Sequence, residues 1–257
     1  MAAGPANRGG GVQSVERAFE LLEILADAGG TAALAELAAR ADLPQPTIHR
    51  LVRTLLAMGY VRQLPNRQYS LGPKLIRLGE SAAQLIGAWS RQHLAVLVDR
   101  TGETANIAVL DNDMAVYVAQ VPSPHAMRMF TEVGRRVYPH STGVGKALLM
   151  QLPNEEVLAL VQRTGMPALT ENSHTSPEAL IRDLELSRSR GYTVDEGEQE
   201  LGVRCFAVPV PDAPTLTAIS ISGPAARVTL KSATTVTPLL KRVARDLASE
   251  FDKQAAI

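Results

Sequence analysis

Residues 43–72 read LPQPTIHRLVRTLLAMGYVRQLPNRQYSLG, and the order of signals in this stretch decides the fold of the N-terminal third of the chain. Pro44 and Pro46 suit the first turn of a helix and nothing deeper, because proline lacks the N–H that later turns require. From there Ile48, Leu51, Val52, Leu55 and Leu56 recur at helical spacing, which predicts a helix to about Met58 with these side chains inward. Gly59 stops it. Two alternating arms follow, Tyr60–Leu64 and Gln68–Leu71, around the turn-forming pair Pro65-Asn66, so a β-hairpin is expected.

Upstream, SVERAFELLEILAD (14–27) sets Val15, Ala18, Phe19, Leu22, Leu25 and Ala26 on one helical face, and Gly29-Gly30 ends it. A second short helix, LAELAARA (34–41), turns Leu34, Leu37 and Ala38 inward. Three helices and a hairpin within residues 13–72 are the order of a winged helix-turn-helix. In that architecture the N-terminal part of the second helix of the pair meets base edges in the major groove. The outward positions are Gln45, Pro46, Thr47, His49, Arg50 and Arg53. Arginine can fork onto guanine, and Thr47 can meet a thymine methyl. Arg62 and Arg67 fall on the wing, where phosphate contact is the usual use. Residues 1–12 read as a flexible arm, and its Arg8 is a further candidate for the same role.

Charge supports this placement. The chain of 257 residues is formally neutral, but residues 43–79 hold six Lys or Arg and no acid, whereas residues 80–257 hold seventeen against twenty acids. An acid-free segment inside a neutral protein is a local footprint for a phosphate backbone. The single cysteine, Cys205, excludes an internal disulfide and fits a reducing compartment. No signal peptide or membrane-spanning run is visible, so a cytoplasmic protein is expected.

Downstream, PKLIRLGESAAQLIGAW places Leu75, Leu78, Ala82, Leu85 and Ile86 on one face of a linker helix spanning 73–89. Residues 90–257 then alternate between patterns. A helix-like RQHLAVLVDRTG precedes strand-like TANIAVL and MAVYVAQV, joined by a turn at 111–113, and a third strand-like run, MRMFTEV. Helices at about 153–163 and 177–190, strands CFAVPV and LTAISIS, and a helix from about 235 to 254 complete an α+β sheet domain.

HSTGVGKALL (140–149) resembles part of a phosphate loop. The GxxxxGK[ST] pattern fails, because His140 stands at the first glycine and Ala147 at the magnesium-binding hydroxyl. A Rossmann turn fails too, for want of a third glycine and a surrounding βαβ unit. Ser141, Thr142 and Gly143 instead suit a helix start, whose free N–H groups attract a carboxylate. Ser220 and Ser222, two apart on a strand, face one side of the sheet, with Ile219 and Ile221 on the other. The histidines His125, His140 and His174 lack metal-ligand spacing, so no metal and no cofactor is expected. A hydrolase would need Cys205 as nucleophile with His140 or His174 as base, but Cys205 lies inside a strand and not at a helix start, so no enzyme is expected.

QSVERAFELLEILADAGG, LPQPTIHRLVRTLLAMGYVRQ, YSLGPKLIRLG, GRRVYPHSTGVGKALL, RGYTVDEGEQELGVRCFAVPV and AISISGPAARVT together resemble the IclR family of bacterial transcription regulators. That resemblance implies an N-terminal winged helix-turn-helix, a linker helix and a GAF-like effector domain. It implies a homodimer, or a tetramer built as a dimer of dimers, on palindromic or pseudo-palindromic operator DNA. Carried over residue by residue, it implies an effector pocket at Ser141, Thr142, Gly143, Val144, Asp195, Cys205, Ser220 and Ser222, with Met127, Met129 and Val203 as an apolar wall. The look of the segments is nearest the allantoin- and glyoxylate-pathway repressors, which implies repression relieved by glyoxylate or allantoate. Regulation of aromatic-acid catabolism is the alternative.

Overall fold

The computed structural model describes residues 12–84, 90–129 and 132–255. Arg8 lies outside the described residues. The chain divides into two compact units, residues 1–85 and 86–257.

The first unit is a three-helix core with a small sheet. Its elements are α1 (Gln13–Asp27), β1 (Thr31–Ala32), α2 (Leu34–Arg40), α3 (Gln45–Met58), β2 (Val61–Gln63), β3 (Tyr69–Leu71) and α4 (Lys74–Gln84). Helix α3 ends where the sequence places its stop: Gly59 has φ 82°, and its N–H is shared by the carbonyls of Leu55 and Leu56. Ile48, Leu51, Val52 and Leu55 bury against Leu21, Leu22 and Leu25 of α1 and Leu37 and Ala38 of α2. Leu56 does not join them and is exposed. The two-residue β1 pairs with β3, making a three-stranded sheet of order β1-β3-β2.

One part of the apolar stripe on α1 is differently used. Val15 and Phe19 are exposed, at 52% and 63%, and Ala26 is exposed as well. Leu21 takes up the core place, and Val15 and Phe19 fall on the side of α1 that faces α3 and α4. There Val15 and Phe19 line an apolar groove of about 620 Å³ with Met58 of α3 and Leu75 and Leu78 of α4. Of the linker stripe, Ala82, Leu85 and Ile86 lie outside the described side chains.

The second unit contains α5 (Ser90–Thr101), β4 (Thr104–Asp111), β5 (Met114–Val121), β6 (Arg136–Val137), α6 (Gly143–Leu149), α7 (Asn154–Thr164), α8 (Pro177–Arg190), β7 (Thr193–Glu196), β8 (Val203–Pro209), β9 (Thr217–Pro224) and α9 (Ala233–Ala255). The sheet is antiparallel throughout, in the order β6-β5-β4-β9-β8-β7. One face carries Ile107, Phe206, Ile219 and Ile221 against α5 and α9. The other presents Ala108, Ala115, Ala207 and Ala218 to Val144, Ala147 and Leu148 of α6, and these small residues let the short helix lie close.

The strand expected at 127–133 is not formed by its described residues; the paired segment is β6, three residues further on. The carbonyls a ladder would use are taken by side chains. Arg227 Nη2 donates to Met127 O at 2.9 Å, and Thr104 Oγ1 donates to Met129 O at 3.3 Å.

Candidate functional site

Helix α3 presents Gln45, Pro46, His49, Arg50 and Arg53 to solvent, with Thr47 half-buried. His49, Arg50 and Arg53 line a shallow recess together. On the wing, Arg62 is exposed and its Nε donates to Ser70 Oγ at 3.0 Å, while Arg67 sits at the hairpin tip with φ 62°. All are available to a polyanion, and none is consumed by an ion pair among the described residues.

In the second unit, strand register assembles a polar patch on the α6 side of the sheet. Asp195, Cys205, Ser222 and Thr104 are lateral neighbours across four strands, and Ala207, Ser220, Asn106 and Gln120 form the next row. Ile219 and Ile221 occupy the packed opposite face, as the alternation requires. Asn106 Nδ2 donates to Ser222 Oγ at 3.2 Å, and Gln120 Nε2 donates to Asn106 Oδ1 at 3.1 Å. Asn106 and Gln120 were not singled out from the sequence. The polar-apolar alternation of Thr104, Asn106 and their neighbours in TANIAVL was the available signal.

The start of α6 lies directly over this patch. A β-carbon at Gly143 would stand 2.5 Å from Cys205 Sγ, so only glycine fits. Thr142 caps the helix, its Oγ1 accepting the Gly145 N–H at 3.0 Å. Ser141 Oγ donates to Gln199 Oε1 at 3.2 Å, so the Ser141 and Thr142 side chains brace the helix start. The Gly143 and Val144 N–H groups, in the first turn, have no intrahelical acceptor. Thr193 Oγ1 donates to Gly143 O at 2.8 Å and ties α6 to the sheet. Val203 is half-buried and Met129 half-buried, but Met127 is 73% exposed and does not wall the patch.

Lys146 is the second purpose of HSTGVGKALL. It is the only polar side chain in a fully buried helix, 1% exposed, and its Nζ lies 2.7 Å from Asp183 Oδ2 and 2.5 Å from Glu198 Oε1. Burial alone would lower its pKa, but the charges of Glu198 and Asp183 outweigh this and hold the ammonium above its ordinary range. Asp183 is held well below the carboxylate range: burial opposes this, but the His174 hydrogen bond and Lys146 prevail. His174 is therefore not isolated. It joins Asp183 and Glu198 in a cluster of metal-ligand size. Lys146 already supplies the positive centre for both carboxylates, and the group reads as an ion-pair network.

Cys205 is unsuited to nucleophilic work, because burial pushes its thiol well above the ordinary value. Asp195 is raised to about 7 by burial and by the Glu198 charge, against the N–H groups of Glu198 and Gln199. Its folded pKa exceeds its unfolded value, so the stability it contributes is present below about pH 4 and lost as pH rises towards 7. Urea midpoints of the protein and of Asp195→Asn should therefore converge or cross between pH 5 and 8, the parent losing ground as pH rises. Parallel curves would contradict this assignment.

Comparisons with known proteins identify the family of both units. The family of bacterial transcriptional regulator IclR C-terminal domains matches residues 83–249, and the IclR helix-turn-helix domain matches residues 14–65. The chain belongs to the IclR family. It is 38% identical over 263 residues to the transcriptional repressor IclR of Escherichia coli K12, covering 98% of this chain and 93% of that one. It is 32% identical over 254 residues to the repressor AllR of the same organism, covering 95% and 92%. The crystal structure of Thermotoga maritima IclR superposes with a TM-score of 0.76 at 28% identity, covering 93% of this chain and 98% of that one. This IclR-family chain is thus a DNA-binding transcriptional regulator and not an enzyme. None of its described helices is long and apolar enough to cross a membrane.

Proposed function

We propose that the protein represses a catabolic operon and is released from its operator by a small carboxylate, with glyoxylate or allantoate as the effector. The observation that carries this is the polar patch of Cys205, Ser220, Ser222 and Asp195 beside the start of α6, where Gly143 packs against Cys205. Hydroxyl and N–H donors fit a carboxylate and its neighbouring oxygens, and an aromatic acid would need an apolar slot that these side chains do not offer. The repressor names of the E. coli relatives, AllR among them, support repression.

On DNA, Thr47, His49, Arg50 and Arg53 read the major groove, Gln45 and Pro46 stand at the entry of the helix, and Arg62 and Arg67 hold phosphates. Arg8 adds a contact from the arm. The protein works as a homodimer, or as a tetramer of two dimers, on a palindromic operator, since two-fold half-sites need two-fold proteins. The apolar groove lined by α1, α3 and α4 supports this, because contiguous exposed apolar surface marks association sites. Effector binding shifts the population of dimers away from the half-site spacing of the operator.

A thermal-shift screen with glyoxylate, allantoate, pyruvate, acetate and protocatechuate tests the ligand. Stabilisation by one of the first two is expected, and stabilisation by protocatechuate alone would overturn the choice. Ser222→Ala, which removes one buried donor, should weaken effector binding about tenfold, as read by titration calorimetry. An unchanged affinity would remove Ser222 from the site.

A further inference from the structure

The opposite face of the same sheet carries a second recess, of about 430 Å³, where the end of α5, the start of β4, the segment after β9 and the first half of α9 meet. Ile221 and Val236 contribute apolar lining, Arg100, Arg227 and Arg242 contribute positive charge, and Glu103 is the one acid among the lining residues. These charges do not cancel. Glu103 is buried, and Arg227 holds it twice, Nε to Oε1 at 2.5 Å and Nη2 to Oε2 at 2.9 Å. The sequence makes room for this pair: a β-carbon at Gly223 would collide with the Glu103 carboxylate. Arg227 is therefore fixed in place. Arg100 and Arg242 have no ion pair or hydrogen bond to any described residue.

A concave site with an apolar lining and a few convergent charges is the general form of a small-molecule pocket. Guanidinium forks match the oxygens of carboxylate and phosphate. We infer that this recess is a second ligand site, separate from the proposed effector patch, for an organic dianion. The doubly charged head, a phosphate ester or a dicarboxylate, lies between Arg100 and Arg242, and the apolar body covers the half-buried Val236 and Leu239. Ile221 and Ser222 are consecutive on β9 and face opposite ways, so the two sites stand back to back across one strand.

Titration of the full chain with phenyl phosphate and with phenylsuccinate tests this, each at low and at physiological salt. Saturable binding of at least one is expected, and the stronger of the two identifies the head group. Affinity should fall tenfold or more in Arg100→Ala/Arg242→Ala, whose two positions are exposed on helix surfaces. It should stay unchanged in Ser222→Ala. Saturable binding of neither probe, binding that survives the double substitution, or binding lost in Ser222→Ala would each overturn the assignment.

Discussion

Lys146→Met is expected to destabilise the second unit by about 3–5 kcal/mol, because it leaves Asp183 and Glu198 facing each other without their cation. Methionine fills most of the volume, so the loss reports charge and not a cavity. In a unit of this size such a change lowers the melting temperature on the order of 10 °C. The triple variant Lys146→Met/Asp183→Asn/Glu198→Gln, which removes the stranded charges as well, should recover much of it. Differential scanning calorimetry reads both. A single variant that melts with the parent would show that the network contributes little. The consequence for function is local: Lys146 ties the helix that carries Gly143 and Val144 to α8 and to the loop after β7, so its loss should also loosen the proposed effector patch.

Arg50→Ala/Arg53→Ala is expected to lower operator affinity about 100-fold, since each base-reading arginine is worth about 1–3 kcal/mol. Both side chains are exposed and unpaired among the described residues, so the melting temperature should not move. Arg163→Ala is the matched control, an exposed arginine of the other unit whose partner is Asp113. Fluorescence anisotropy on labelled duplex separates the cases. Equal losses for Arg163→Ala and the α3 variant would reduce the effect to bulk charge.

Local signals made the first unit readable from its residues. Gly59, the proline pair at 44 and 46 and the hairpin arms are short-range features, and the structure keeps each of them. The facing of Ser220 and Ser222 was likewise set by strand alternation alone. The failures arise where partners are distant. Leu56 and Phe19 share helical spacing with core residues, but which part of a wide apolar stripe is buried depends on where neighbouring helices end. β1 pairs through two positions only, with partners 37 and 39 residues away, too short to carry an alternation. The Lys146 network draws on residues 37 and 52 positions away, so the lysine read as a failed phosphate ligand and not as the centre of an ion-pair cluster. A charged residue in the middle of GVGKALL was the clue, because a helix apolar on every other side must supply that charge with a buried acid.

The most direct measurement is anisotropy of the full chain on a duplex from its own promoter region at physiological salt, titrated with glyoxylate and, separately, with allantoate. Salt-sensitive, saturable binding is expected, which one of these acids reverses in the parent and not in Ser222→Ala. Binding that neither acid reverses, or no binding to that duplex at all, would contradict it.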